Sequence, residues 1–282
     1  MLLATILAAA VSKPVAYDFP HEWYALAAEG HFWLEWRLAA FLNQLADLDL
    51  RLDVAWRGID IGCGHGILRQ QIEHCTRWSV DGADLNEQAL RGSMAERGAT
   101  LFYNIHDRRK EFEAAYDCVI LFDVIEHIED SRGFLESALF HLKPGGWLFI
   151  NVPAQERFRS AYDTAAGHLR RYDRAMMMRE LGNHPLEVRD VRYWGLTLVP
   201  LLLLRTMVTS TRQSTREIIE KGFEPPAPWI NTILKLAMRL ETRALRRPML
   251  GTSLLAAARY VLPSGRSALP SQPRDRAAGR QA

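Results

Sequence analysis

Cysteine is scarce in this chain: Cys63, Cys75 and Cys118 are the three in 282 residues. An odd number without CxxC spacing excludes a disulfide framework and argues against a structural zinc site, so a reducing compartment and no metal are expected. An excess of one charge is also lacking. Lys plus Arg number 35 against 33 Asp plus Glu, a net charge of +2, and electrostatics therefore give no case for a nucleic-acid partner. Long apolar runs are missing too. The longest, residues 193–208, is interrupted by Pro200 and Arg205 and falls short of the roughly 20 residues a spanning helix needs. It suits docking on a membrane surface rather than crossing one. The apolar start, residues 1–11, has no basic flank and no small-residue cleavage pattern ahead of Lys13-Pro14, which argues against a secretory leader. The expected place is the cytoplasm, with peripheral attachment to the inner face of the membrane as an option.

What the chain does have is a glycine turn. Residues 59–66 read Ile-Asp-Ile-Gly-Cys-Gly-His-Gly, a strand end followed by glycines at alternate positions and then a helix from Ile67 to about His74. Without Cβ atoms the glycines allow positive φ and close approach of a ligand, and the helix start presents unpaired N–H groups. Around it the chain alternates. Strands are predicted at 78–85, 100–105, 116–122, 147–152 and 186–194, with helices at 87–97, 131–141 and 174–181. Segment 116–122, Tyr-Asp-Cys-Val-Ile-Leu-Phe, is apolar enough to be buried on both faces, as in a parallel sheet. Repeated βαβ of this kind predicts an α/β fold with a doubly wound sheet.

Helical periodicity at 23–50 predicts an N-terminal cap over residues 1–52, where His21, Trp23, His31, Phe32 and Trp33 either pack on the sheet or form a lid. The main domain is expected at 53–262, with a helical insertion at about 196–247 that includes a helix at 229–245. Segment 251–260 can be strand or short helix. Strand is preferred because it closes the sheet after the insertion. Residues 263–282, rich in Pro, Ser, Gly and Arg, predict a disordered tail.

The glycine spacing bears on the ligand. A dinucleotide fingerprint wants its third glycine one position later, where Ile67 stands, which disfavours an NAD-dependent oxidoreductase. Asp60, just before the turn, would repel a pyrophosphate and attract an ammonium or sulfonium cation. With these residues in place the chain resembles the class I S-adenosylmethionine-dependent methyltransferases. The resemblance runs from about Arg57 to Val152 through IDIGCGHG, VDGADL, YDCVILFDVIEHIED and LKPGGWLFINVP, in the family's order and spacing.

That resemblance implies a Rossmann-like methyltransferase fold with a seven-stranded mixed sheet and S-adenosyl-L-methionine as cofactor. Gly62, Cys63, Gly64 and Gly66, with Asp60, would seat the methionine part. Asp84, ending the second strand, would take the ribose hydroxyls, in keeping with an acid roughly twenty residues past a glycine turn. Asn104 or Asp107 would contact adenine, and Leu85 and Phe122 would sandwich it or belong to the core. Asp123 and His127 would face the reaction, His127 either as a general base or as a hydrogen-bonding partner of the cofactor loop. Glu126 is read as a helix-start residue.

A second resemblance lies in residues 160–172, Ser-Ala-Tyr-Asp-Thr-Ala-Ala-Gly-His-Leu-Arg-Arg-Tyr. It is similar to a bacterial methyltransferase subgroup often linked to envelope glycan or lipid pathways. Asp163, His168, Arg170, Arg171 and Tyr172 would form a polar cluster over the acceptor, with His127, His168, Asp163, Arg171 and Tyr172 as the catalytic candidates. The implied reaction is methyl transfer to a small-molecule, glycan or lipid-linked acceptor. The alternative is a methyltransferase-like module that binds cofactor without catalysis.

Overall fold

The computed structural model describes residues 9–10, 31–93, 96–208 and 228–261. In chain order the elements are β1 (Ala9–Ala10), α1 (Phe32–Asp47), β2 (Arg57–Ile61), α2 (Ile67–Cys75), β3 (Ser79–Asp84), α3 (Glu87–Arg91), β4 (Thr100–Phe102), β5 (Tyr116–Phe122), α4 (Ser131–Phe140), β6 (Leu142–Pro153), α5 (Ala161–Ala165), α6 (Arg174–Gly182), β7 (Leu186–Trp194), α7 (Val199–Val208), α8 (Pro228–Ala244) and β8 (Ser253–Tyr260). The predicted seven strands, β2 to β8, form a mixed sheet, extended at one edge by the two-residue β1. The order is β1-β4-β3-β2-β5-β6-β8-β7, parallel except for β8, which runs antiparallel between β6 and β7.

Strand order reverses between β2 and β5, which pair directly, Ile59 opposite Val119. Such a reversal opens a crevice beyond the carboxyl ends of the strands, where ligands bind in open α/β sheets. The glycine turn after β2 and Asp123 after β5 both lie at that edge. Residues 118–122 of β5 are buried throughout, the consequence of helices covering both faces of a parallel strand. One face is packed by Phe134, Leu135 and Leu139 of α4 and by Met177 and Leu181 of α6. On the other, Trp36, Phe41 and Leu45 of α1 and Leu68 and Ile72 of α2 meet Trp78, Ile120 and Phe149.

Segment 251–260 is a strand, as preferred. Its residues 254–258, two leucines and three alanines, are fully buried between β6 and β7. The described parts of the insertion are helical, and α8 packs against α1. Glu241 of α8 accepts from the backbone N–H groups of Gly195, Leu196 and Thr197 at 2.7, 3.0 and 2.9 Å, capping the start of the insertion, and α8 meets α1 through Asn43–Thr242 and Lys235–Glu35.

Some boundaries differ from expectation. The third strand ends at Phe102 because Asn104 caps a short turn at Ile105–Asp107. The helix predicted at 87–97 stops at Arg91 with Gly92 as its C-cap. The strand expected at 147–152 starts earlier, at Leu142, so residues 143–146 are not a loop between helix and strand. They are absorbed into β6, with Gly145 at φ +79° and a register shift against β5. The tail at 263–282, His21 and Trp23 of the expected lid, most of the cap before residue 31 and residues 209–227 of the insertion lie outside the described residues. No helix among the described residues is long and apolar enough to cross a membrane.

Candidate active site

The seat begins at Asp60, 3% exposed on β2. Gly62, Gly64 and Gly66 follow with φ of +77°, +52° and +77°, a conformation L side chains rarely adopt. At Gly62 a Cβ would also stand 2.7 Å from Cγ2 of Val124. Gly66 is the N-cap of α2, so the turn ends in donors facing the crevice. Asp84 braces it. One carboxyl oxygen accepts from the Gly64 N–H and the other from the Asn86 N–H, each at 2.8 Å, and a carboxylate has further lone pairs for ribose hydroxyls.

Asp60, Asp84 and Asp123 gather here. Burial pushes the Asp60 carboxyl up to about 7, opposed by Arg37 and Arg69 and reinforced by Asp84 and Asp123. Burial also raises Asp84, against the hydrogen bonds from Asn86 and Gly64. A carboxyl held at the edge of ionisation gains its charge back when a cation arrives. The donor set therefore fits a ligand with an ammonium or sulfonium group and gives a pyrophosphate nothing cationic to pair with in the glycine turn. Cys63 is half-buried, and burial with Asp84 and Asp60 nearby pushes its thiol well up, so it lines the seat as a neutral group.

The adenine side is less uniform. Leu85 is half-buried, whereas Phe122 is 5% exposed and packs edge-to-face on Phe41 at 5.2 Å between centroids. Phe122 belongs to the core, whereas Leu85 keeps a partly open side chain. Asn104 spends its side-chain oxygen on the His106 N–H at 3.1 Å, and Asp107 is exposed.

Beyond β5, Asp123 takes φ +59°. It is held by Asn151 at 2.8 Å, which in turn accepts from Trp194 Nε1 at 2.9 Å, and by Arg37 of α1 at 2.5 Å. The Arg37 guanidinium lies 4.9 Å from the Trp33 ring and 5.7 Å from Phe122. Arg37 and Asn151 escaped the sequence reading. A lone cation among the apolar residues of α1 was the local signal for the first.

The acceptor loop brings its polar residues together but divides their roles. Asp163 is fully buried and accepts from Ser160 N (2.8 Å), Ser160 Oγ (3.2 Å), His168 Nδ1 (2.9 Å) and Arg171 Nε (2.7 Å). Burial alone would raise its carboxyl. The hydrogen bond from His168 and the charge of Arg171 outweigh it and hold Asp163 well below the usual range. Arg171 also donates to the Ala154 carbonyl at 3.0 Å. Tyr172 is fully buried in the core, pairs with Ala154 and has its phenol raised by burial. Asp163, Arg171 and Tyr172, expected to be catalytic, therefore build the loop. All three side chains are buried.

The two histidines differ from these. His168, on the loop, and His127, after β5, face each other with ring centroids 4.9 Å apart, and His127 Nδ1 lies 3.2 Å from the Gly167 carbonyl. Burial, aided by His168, lowers His127 to about 4, so it is neutral at pH 7. Glu126 lies, as expected, at the start of a helix, the single 3-10 turn Ile125–His127. It is fully buried beside them.

A family model described as a methyltransferase domain matches residues 30–192. The ubiquinone biosynthesis O-methyltransferase of Burkholderia vietnamiensis is 29% identical over 149 residues, covering 47% of this chain and 62% of that protein. Its counterpart from Methylobacterium nodulans is 34% identical over 95 residues, covering 32% and 38%. The chain thus spans less than two thirds of the curated relatives it matches. Among solved structures, a candidate sarcosine dimethylglycine methyltransferase from Galdieria sulphuraria superposes with a TM-score of 0.53 at 14% identity over 80% of this chain and 86% of that one. A candidate methyltransferase in complex with the Haloferax volcanii Trm112 activator gives 0.54 at 15% identity over 87% and 100%. At these identities the likeness is one of fold. The family match spans more than half of the chain, and the chain belongs to the methyltransferase-domain family, with S-adenosyl-L-methionine as its cofactor.

Proposed function

We propose that this chain transfers a methyl group from S-adenosylmethionine to a hydroxyl oxygen of a small-molecule acceptor. The observation that carries the reading is the placement of His168 and His127 at the same strand edge as the glycine seat. When bound, the cofactor supplies a sulfonium methyl already activated for transfer. The residues then have to align the nucleophile and receive its proton. Asp163 fixes the His168 ring by its Nδ1, which leaves Nε2 as the proton acceptor. The name of the curated relatives, O-methyltransferases of ubiquinone biosynthesis, supports oxygen as the methylated atom.

A lipid-linked acceptor reached at the membrane surface is favoured by a separate feature. Trp229, Ile233, Leu236 and Leu240 of α8 are 67%, 56%, 58% and 62% exposed, and their spacing puts them along one helix face. Arg246 and Arg247, just beyond the helix, pair with Asp47 at 2.9 and 3.8 Å, so the apolar face alone carries this reading.

One assay tests both statements. With methyl-labelled cofactor, hydroxylated aromatic acceptors offered free or in anionic lipid vesicles are expected to yield a label that resists mild base, as an ether does, and faster transfer with vesicles. Trp229→Glu with Leu236→Glu is expected to remove the vesicle advantage alone. Label released by mild base, or absent, would overturn oxygen-ether formation; equal rates with and without vesicles would overturn the surface reading.

A further inference from the structure

We infer that Glu126, His127 and His168 form a binding site for one divalent transition-metal ion on the acceptor side of the crevice. One ligand atom from each lies within 4.8 Å of the other two. Two imidazoles and one carboxylate, with positions left for water or substrate, are a recurring ligand set for Fe, Mn, Co and Zn. Around an octahedral ion the three atoms would stand roughly 3 Å apart, given bonds of ~2.1 Å, so side-chain rotation alone has to close the gap.

The surroundings match a metal site more closely than they match the core. Glu126 is fully exposed to no solvent at all, at 0%, yet neither carboxyl oxygen has a hydrogen-bond donor among the described residues. A buried carboxyl without donors either keeps its proton or exchanges it for a cation that completes it. Its backbone carbonyl is engaged separately, by the Leu169 N–H at 2.8 Å, which ties the loop bearing His168 to the turn bearing Glu126. Both histidines are oriented from behind. The Asp163 carboxylate holds His168 by Nδ1 at 2.9 Å, and the Gly167 carbonyl takes His127 Nδ1 at 3.2 Å. Carboxylate and carbonyl partners on the remote ring nitrogen fix the tautomer that offers Nε2 to a metal. Asp163 and Arg171 acquire a purpose in this arrangement, since they lock the loop that delivers His168 to residues 126–127.

The inference departs from the expectation of no metal, which rested on cysteine spacing and could not register a ligand brought in from 41 positions away. It rests on the reading of this face as the acceptor side and changes one part of it: with the ion bound, His168 Nε2 is a ligand, so an acceptor hydroxyl in an open position on the ion would lose its proton to solvent water rather than to His168.

The test is direct metal binding to the untagged full chain after chelator treatment, with Zn2+ followed by calorimetry and Co2+ by visible absorption. One ion per chain is expected. Glu126→Gln and His127→Ala should each weaken binding by about 100-fold or more, and Asp163→Asn by roughly 10- to 100-fold through loss of the orienting carboxylate. S-adenosylhomocysteine binding and circular dichroism establish that each variant is folded. No saturable binding would overturn the inference, as would binding that survives His127→Ala but is lost in Cys75→Ser. The readout needs no turnover, so a missing methyl transfer leaves it standing, and metal-free catalysis at full rate does not imitate it.

Discussion

An Asp163→Ala variant is expected to melt about 10 °C below the parent at neutral pH. The carboxylate is fully buried and takes hydrogen bonds from Ser160, His168 and Arg171. Its removal strands the Arg171 guanidinium, 6% exposed, with the Ala154 carbonyl as its remaining acceptor. Breaking a buried ion pair from one side costs about 3–5 kcal/mol, and about 2–4 °C is lost per kcal/mol in a domain of this size. The pH dependence has a definite sign. The folded carboxyl sits below its ordinary 3.8, so on acidification the unfolded chain takes up the proton first and the native state loses this contribution. Parent and variant should therefore converge as the pH falls below about 4. Thermal melts followed by circular dichroism measure both; a shift within 2 °C or so, against the several kcal/mol expected, would mean that the loop does not depend on this pair.

Asp84→Ala should weaken S-adenosylhomocysteine binding by about 100-fold, the equivalent of roughly 3 kcal/mol. Two losses combine. The Gly64 and Asn86 N–H groups, each 2.8 Å from the carboxylate, lose their acceptor and the glycine turn loses its brace, and the ribose hydroxyls lose theirs. Asp84→Asn keeps one oxygen acceptor but turns an N–H donor toward one of the backbone donors, and should fall between. Calorimetry gives the affinities; an unchanged value in Asp84→Ala would place the ribose elsewhere.

Patterns that depend on neighbours in sequence were legible. Strands β5 and β7 were bounded to the residue, since a run of apolar β-formers and a period-two alternation each have one reading. The glycine seat followed from spacing and from the acid at Asp60. Even the Ser160-x-x-Asp163 pair carried a local signal, the capping box that the structure shows at α5. What escaped depended on the tertiary fold. Arg37 meets Asp123 across 86 residues, and His168 meets His127 across a loop whose path no periodicity describes. For the same reason Arg171 and Tyr172 looked chemical in the sequence. A polar residue is spent on structure or free for chemistry according to its burial, and here Arg171 is 7% and Tyr172 0% exposed.

The central claim is that the turn between β2 and α2, with Asp60 and Asp84, is a seat for a cationic adenosyl cofactor. Its most direct test is a calorimetric titration of the full chain with S-adenosylhomocysteine at about pH 6 and about pH 7.5, in buffers of different ionisation enthalpy. Asp60, held at about 7 in the free protein, must ionise to pair with the ligand's ammonium group. The account predicts one site, affinity several-fold higher at the upper pH, and a proton released on binding at the lower one; both pH effects should vanish in Asp60→Asn. No binding, or binding with neither pH dependence nor proton release, would contradict it.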